Sequence, residues 1–267
     1  LAFTGQILRF ELRAGNGSVK DVIGTILNTA GIVIGGIAGL TKKKPLSTAT
    51  QNYLKLALGS FALFIGLRLT WTSLHGSFLQ ILKQLGLVLL ALVLGKLTGR
   101  LLRLQKASNG LGHVARLRIN QAKPSDPNRF NSGFLTCSLL YCAAPLGIIG
   151  AICDGLPVGD SAYGFFYPLA VKALMDGLAT MGFVSVFGWG ALLSAVPVLV
   201  FQGTITLLCA RFLLPALGTA PLEAVHAAAG LLICSVGLLI LEVRKIEVTD
   251  YLPSLALAPL LAWWLNW

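Results

Sequence analysis

Eight stretches of this chain are mostly apolar and approach the roughly 20 residues that a helix needs to cross a bilayer. They fall at about 21–40, 53–71, 81–102, 132–154, 163–187, 191–214, 222–241 and 251–267. Such a chain is confined to a bundle of transmembrane helices, because lipid offers no partner to unpaired backbone groups. Composition agrees: charged residues make up 12 % of the chain, hydrophobic ones 55 %, and mean hydropathy is +0.79. Soluble domains carry about 25 % charged residues. The expected fold is all-α and polytopic, one transmembrane domain over 21–267 with about eight spans.

Residues 1–20 read as a mixed polar leader. Phe3, Ile7, Leu8 and Phe10 are interrupted by Arg9, Glu11, Arg13 and Lys20. That pattern lacks the continuous apolar core of a signal peptide and suits a short interfacial helix ended by Gly15-Asn16-Gly17.

The net charge of +11 invites a nucleic-acid reading, but its distribution argues against one. Basic residues collect in loops beside spans, as Lys42-Lys43-Lys44, as Lys106, Arg116, Arg118, Lys123 and Arg129, and as Arg244-Lys245. This is the positive-inside pattern. With eight spans these loops share the cytoplasmic side, and both termini lie outside. The polar stretch 105–131 is expected as a cytoplasmic loop or loose helix in contact with anionic lipid headgroups.

Within the fifth span stand Lys172 and Asp176, four residues apart and therefore on one face of a helix, one turn from each other. A charge near the bilayer centre costs at least about 2.5–3.5 kcal/mol on insertion scales, so both should face protein or a watery cavity. Two readings are open: an ion pair that locks this helix against its neighbours, or part of an ion or solute path. Asn28 in the first span and Gln202 in the sixth are further mid-depth polar groups that need partners. In the fourth span Pro145 removes a helix donor, and Gly147 and Gly150 weaken the helix further. Discontinuous spans of this kind form transporter sites; a simple kink, with Asp154 at the outer surface, is the alternative.

The first span carries Gly24, Gly31, Gly35, Gly36 and Gly39, small residues suited to close helix approach and to a homo-oligomer as well. Cys137, Cys142, Cys153, Cys209 and Cys234 lie in apolar segments without a CxxC pair, so they read as packing residues rather than a disulfide framework or metal site. There is no HExxH or GxSxG motif, and neither an enzyme nor a cofactor is expected. Gly24 to Gly31 can be laid over Gly190 to Pro197, and Leu58 to Leu67 over Ala229 to Leu238, which keeps the glycine spacing. Spans one to three would then repeat as six to eight with inverted topology, an arrangement found in transporters.

Several of these segments together resemble the domain-of-unknown-function 554 family of bacterial inner-membrane proteins. The carriers are Gly24-Thr25-Ile26-Leu27-Asn28, Thr136 to Gly155, Lys172-Ala173-Leu174-Met175-Asp176-Gly177, Phe201-Gln202-Gly203 and Leu252-Pro253. The resemblance implies an integral inner-membrane protein of a family commonly described as candidate transporters without an established substrate. The residues themselves point to a transporter or channel for a small solute or ion, with Asp176, Lys172, Asn28, Gln202, Asp154, Gly147 and Gly150 around its site. The rival is a non-transporting membrane scaffold whose ion pair is purely structural.

Overall fold

The computed structural model describes residues 22–41, 47–121, 127–159, 161 and 163–265. The expected interfacial leader, the Lys42-Lys43-Lys44 run expected in a cytoplasmic loop, Lys123 and the last two residues of the eighth apolar run lie outside the described residues. Among the described residues the chain is helical, apart from turns and one isolated bridge between Pro157 and Gly164.

Among the described residues six helices are long and apolar enough to cross a membrane: α1 (Ile23–Thr41), α2 (Thr48–Thr72), α3 (Phe78–Leu101), α7 (Tyr167–Phe187), α8 (Trp189–Ala216) and α9 (Thr219–Ile240). Between α3 and α7 lie α4 (Leu104–Gln121), α5 (Arg129–Ala143) and α6 (Pro145–Asp154). The last two meet at a bend of 62°, the geometry of a broken span or of a re-entrant loop. The chain closes with a 3-10 turn (Val248–Tyr251) and α10 (Ser254–Trp264).

One expectation changes here and one open alternative is decided. The eighth apolar run yields in α10 a helix of only 11 residues with Pro259 inside it, about 17 Å long and well short of a bilayer core. Pro253 at its start cannot donate to the preceding turn, and Val248–Tyr251 winds as 3-10 helix instead. Of the loop or loose helix expected for the polar stretch after α3, the helix is what forms, as α4. Its three-and-four spacing of Leu104, Ala107, Leu111, Ala115 and Ile119 outweighs its low hydropathy.

Local signals start several helices. Ser47 accepts a hydrogen bond from the Thr50 N–H at 3.2 Å, and Gln80 Oε1 accepts from the Ser77 N–H at 2.7 Å; each satisfies a donor left over at a helix start. Ala144 is extended (ψ 125°) because Pro145 forbids a helical residue before it. That is the cause of the α5/α6 bend.

Backbones approach closely where glycines face each other. Gly31, Gly35 and Gly39 of α1 meet Ala173, Gly177 and Met181 of α7 in the same sequence order, so these helices run parallel. Gly59 and Gly66 of α2 meet Gly237 and Gly230 of α9, and Gly95 and Gly99 of α3 meet Ser254 and Asp250; both pairings are antiparallel. One apolar core, with Ile65, Leu69, Val88, Ile149 and Ile233, lies between α2, α3, α6 and α9. A second, with Ile32, Cys137, Val184, Phe187 and Ala191, closes the end of α5, α7 and α8. The outer faces are apolar too: Ile34, Val93, Leu97 and Val200 are 62–67 % exposed, a pattern that suits hydrocarbon rather than water.

Candidate functional site

Lys172 lies on the inner face of α7 at 2 % exposure, and its Nζ donates to Asp176 Oδ2 at 2.5 Å. The helical repeat brings the two side chains together, as their spacing predicts. The ammonium also stands 5.7 Å from the centre of the Tyr141 ring on α5. Tyr141 Oη and Thr180 Oγ1 share a hydrogen bond of 2.7 Å, and Thr180 Oγ1 donates to the Asp176 carbonyl at 2.6 Å. The charges are thus enclosed by α5 and α7.

Two amides complete this layer. Asn28 Nδ2 on α1 donates to Gln202 Oε1 on α8 at 3.0 Å, with both residues fully buried, and the Asn28 amide also faces the Asp176 carboxylate. Asn28 Oδ1 and Gln202 Nε2 are left without partners among the described residues. Gly147, in the first turn of α6, stands against the Lys172 stem and the Gln202 amide. A Cβ built there would lie 2.8 Å from Lys172 Cε and 3.1 Å from Gln202 Nε2. Ala144 brings no polar side chain to cap α6; Pro145 has no N–H, and the Gly147 N–H donates to the Ala144 carbonyl at 2.9 Å.

Lys172, Asp176, Asn28, Gln202 and Gly147 therefore converge. Asp154 and Gly150 sit apart from them. The sequence offers Asp154 either as part of the site or as the end of a simple kink at the outer surface; it is buried at 1 % exposure. Its carboxylate accepts from the Gly24 and Thr25 N–H groups at 2.8 and 3.0 Å and from Thr25 Oγ1 at 3.3 Å. It acts as a cap on the start of α1, where the helix dipole favours negative charge. Gly150 packs on the Leu169 side chain instead of lining the polar layer. Thr25 and Thr206 share a hydrogen bond of 3.2 Å, and Thr206 Oγ1 donates to the Ala151 carbonyl at 3.0 Å. Since Thr25 precedes Asn28, and Thr206 follows Gln202, by about one turn, this second polar layer is stacked directly on the first.

Sequence reasoning missed Thr25, Thr206, Thr180 and Tyr141. The three threonines were within reach of a helical argument, each lying one turn from a residue already singled out. Tyr141 gave no such signal.

Asp154→Ala should lower thermal stability, because it strips the acceptor from two backbone donors and one hydroxyl. The expected cost is about 1.5–3 kcal/mol, that of a hydrogen-bonding charged group. Asp154→Asn should recover part of it. Melting curves of the purified variants check both.

This is a polytopic helical membrane protein with a charged pair and two amides buried between its spans. Residues 23–263 match the family described as "Protein of unknown function (DUF554)", and the chain belongs to that family. It is 29 % identical over 238 residues to the "Uncharacterized membrane protein YdfK" of Bacillus subtilis (strain 168), covering 89 % of this chain and 94 % of that protein. It is 28 % identical over 249 residues to the "Uncharacterized protein YqgA" of Escherichia coli (strain K12), covering 92 % of this chain and 99 % of that one. No solved structure matches.

Proposed function

We propose that this chain is a transporter or channel that passes a small solute or ion through the Lys172–Asp176 layer. The observation that carries the reading is the pair of unpartnered amide atoms, Asn28 Oδ1 and Gln202 Nε2, fully buried beside an ion pair and the first turn of α6. Hydrogen-bonding capacity left open in a membrane interior is costly, and it is retained where a guest or water takes it up. In this role Asp176 binds a cation or carries a proton, and Lys172 holds an anionic group. Asn28 and Gln202 add one neutral acceptor and one neutral donor.

Two further features support the reading. The polar layers continue toward the start of α1 through Thr25, Thr206 and Asp154, whereas the packed side chains of Ile32, Val184 and Phe187 seal the opposite end. Such a path is open to rearrangement from one side. The contacts of α2 and α9 also have the reciprocity of an inverted repeat. In the sequence Gly59 corresponds to Gly230 and Gly66 to Gly237, while in space Gly59 meets Gly237 and Gly66 meets Gly230. A two-fold axis between these helices would produce that exchange. In the same scheme the basic loops face the cytoplasm, and the membrane is the bacterial inner membrane. The placement of both termini outside required an eighth span, which α10 is too short to supply.

The test is flux into vesicles reconstituted with wild type or Asp176→Asn, across sodium, potassium, protons, chloride, small organic acids and amino acids. Wild type should carry at least one of them above empty vesicles, and the variant should carry it about tenfold more slowly or worse, from the loss of a charged hydrogen bond. Absence of flux for the whole set, or unchanged flux in the folded variant, would move the assignment to a scaffold with a structural ion pair.

A further inference from the structure

Helix α4 has three distinct faces. Ala115 is fully buried, and Leu104, Ser108, Gly112 and Ile119 beside it are half-buried against α5 and the 3-10 turn. A second face, Lys106, Asn109, His113, Arg116 and Asn120, is polar and exposed. The third is apolar and also exposed: Leu111, Val114 and Leu117, at 39, 42 and 46 % exposure, follow Ala107 at helical spacing. Lys106 and Arg118 flank this stripe, and the helix contains no acidic residue.

Its ends are fixed at separate corners of one face of the bundle. At the start, Asp250 Oδ1 accepts from the Gln105 N–H at 2.7 Å, and Gln105 Oε1 accepts from the Thr249 N–H at 3.1 Å. Asp250 itself packs on Gly99, near the end of α3. Toward the other end, Ile119 packs on the cluster around Phe187, the last residue of α7. The alternation of α1, α2 and α3 brings the ends of α1 and α3 to the same face, and α7, parallel to α1, finishes there as well. A helix of 18 residues, about 27 Å long, therefore runs across the ends of the spans rather than along them. At the same level Leu101 and Leu102 are 83 and 61 % exposed, as residues at the edge of the hydrocarbon would be.

From this geometry we propose that α4 is an in-plane membrane helix that seats Leu111, Val114 and Leu117 in the acyl boundary and binds anionic phospholipid headgroups through Lys106, Arg116 and Arg118. A polar face, an apolar face and basic flanks are what an interfacial helix requires, and a headgroup phosphate supplies the charge that the helix lacks. The proposal is independent of transport. It assigns α4 to the bilayer surface whatever passes through the bundle.

Purified protein in neutral detergent is melted with added phosphatidylglycerol or phosphatidylcholine. Wild type should gain melting temperature from phosphatidylglycerol alone. The triple variant Lys106→Gln, Arg116→Gln, Arg118→Gln should lose more than half of that gain, whereas Arg68→Gln, an exposed arginine outside α4, should keep it. In vesicles, a fluorophore on Val114→Cys should be quenched by brominated lipid and one on Asn109→Cys should not. An equal gain from phosphatidylcholine, or a full gain in the triple variant, overturns the headgroup assignment. Shielding of Val114→Cys from brominated lipid, with cross-links between copies, would make the stripe a protein interface and overturn the in-plane placement.

Discussion

Asp176→Ala is expected to cost the folded protein about 3–5 kcal/mol, the loss that follows when one member of a buried ion pair is removed. Lys172 would be left at 2 % exposure with its counter-charge gone. The Tyr141 ring, 5.7 Å away, can return only about 2 kcal/mol or less. The double variant Lys172→Met, Asp176→Leu removes both charges together and should recover most of the stability, because well-packed apolar replacements of a buried pair are often neutral or better. Melting curves of the single and double variants, read as a cycle, measure this difference. The exposed pair Lys55–Glu242 is the internal contrast. There the Lys55 hydrogen bond and charge hold the Glu242 carboxyl below its ordinary range, yet solvent screens the pair, and Lys55→Ala should hardly move the melt. The double variant then separates the two roles of Lys172 and Asp176. If it is stable and no longer passes solute, the pair acts on what is transported. If it is stable and still passes solute, the pair is only a lock.

The residues of the inner polar layer were legible because each is an anomaly in its own surroundings. A lysine and an aspartate in an apolar run, an asparagine and a glutamine at mid-depth, and a proline followed by glycines all violate the rule that spans are uniform. Their convergence was not legible. Asn28 and Gln202 are 174 residues apart in the chain, and nothing local says that α1 and α8 meet there. In the sequence Asp154 stays open between a site residue and the outer end of a kink for a related reason: only the start of α1, 130 residues away, explains its burial. Hydropathy alone does not decide the ends of its range. It leaves α4 open between loop and helix, because the periodicity there is helical although the mean is polar, and it runs the last apolar stretch through Pro253, immediately after which α10 begins.

Gly35→Val should damage the protein more than any change on its lipid-facing surface. In α1, Gly35 lies against the Gly177 carbonyl of α7 so closely that a Cβ would overlap it, and backbone on both sides leaves no flexible atom to yield. The helices would have to separate. Overpacking costs about 1–3 kcal/mol in cores that can adjust, and here the expected loss lies at or beyond the upper figure. Gly86→Ala in α3 is the control, since nothing lies within 4 Å of its added Cβ. It should be neutral or stabilising by up to about 1 kcal/mol, the difference in helix propensity. The consequence reaches the polar layer, because α1 carries Asn28 and α7 carries Lys172 and Asp176. A wedge at Gly35, about two turns from Asn28, moves the amide away from the carboxylate it faces. If the chain carries the flux proposed above, that flux should fall in Gly35→Val even below its melting temperature and stay unchanged in Gly86→Ala. A Gly35→Val protein that melts like wild type would mean that α1 and α7 are not held backbone to backbone, and the distance between Asn28 and Asp176 would no longer be fixed by the fold.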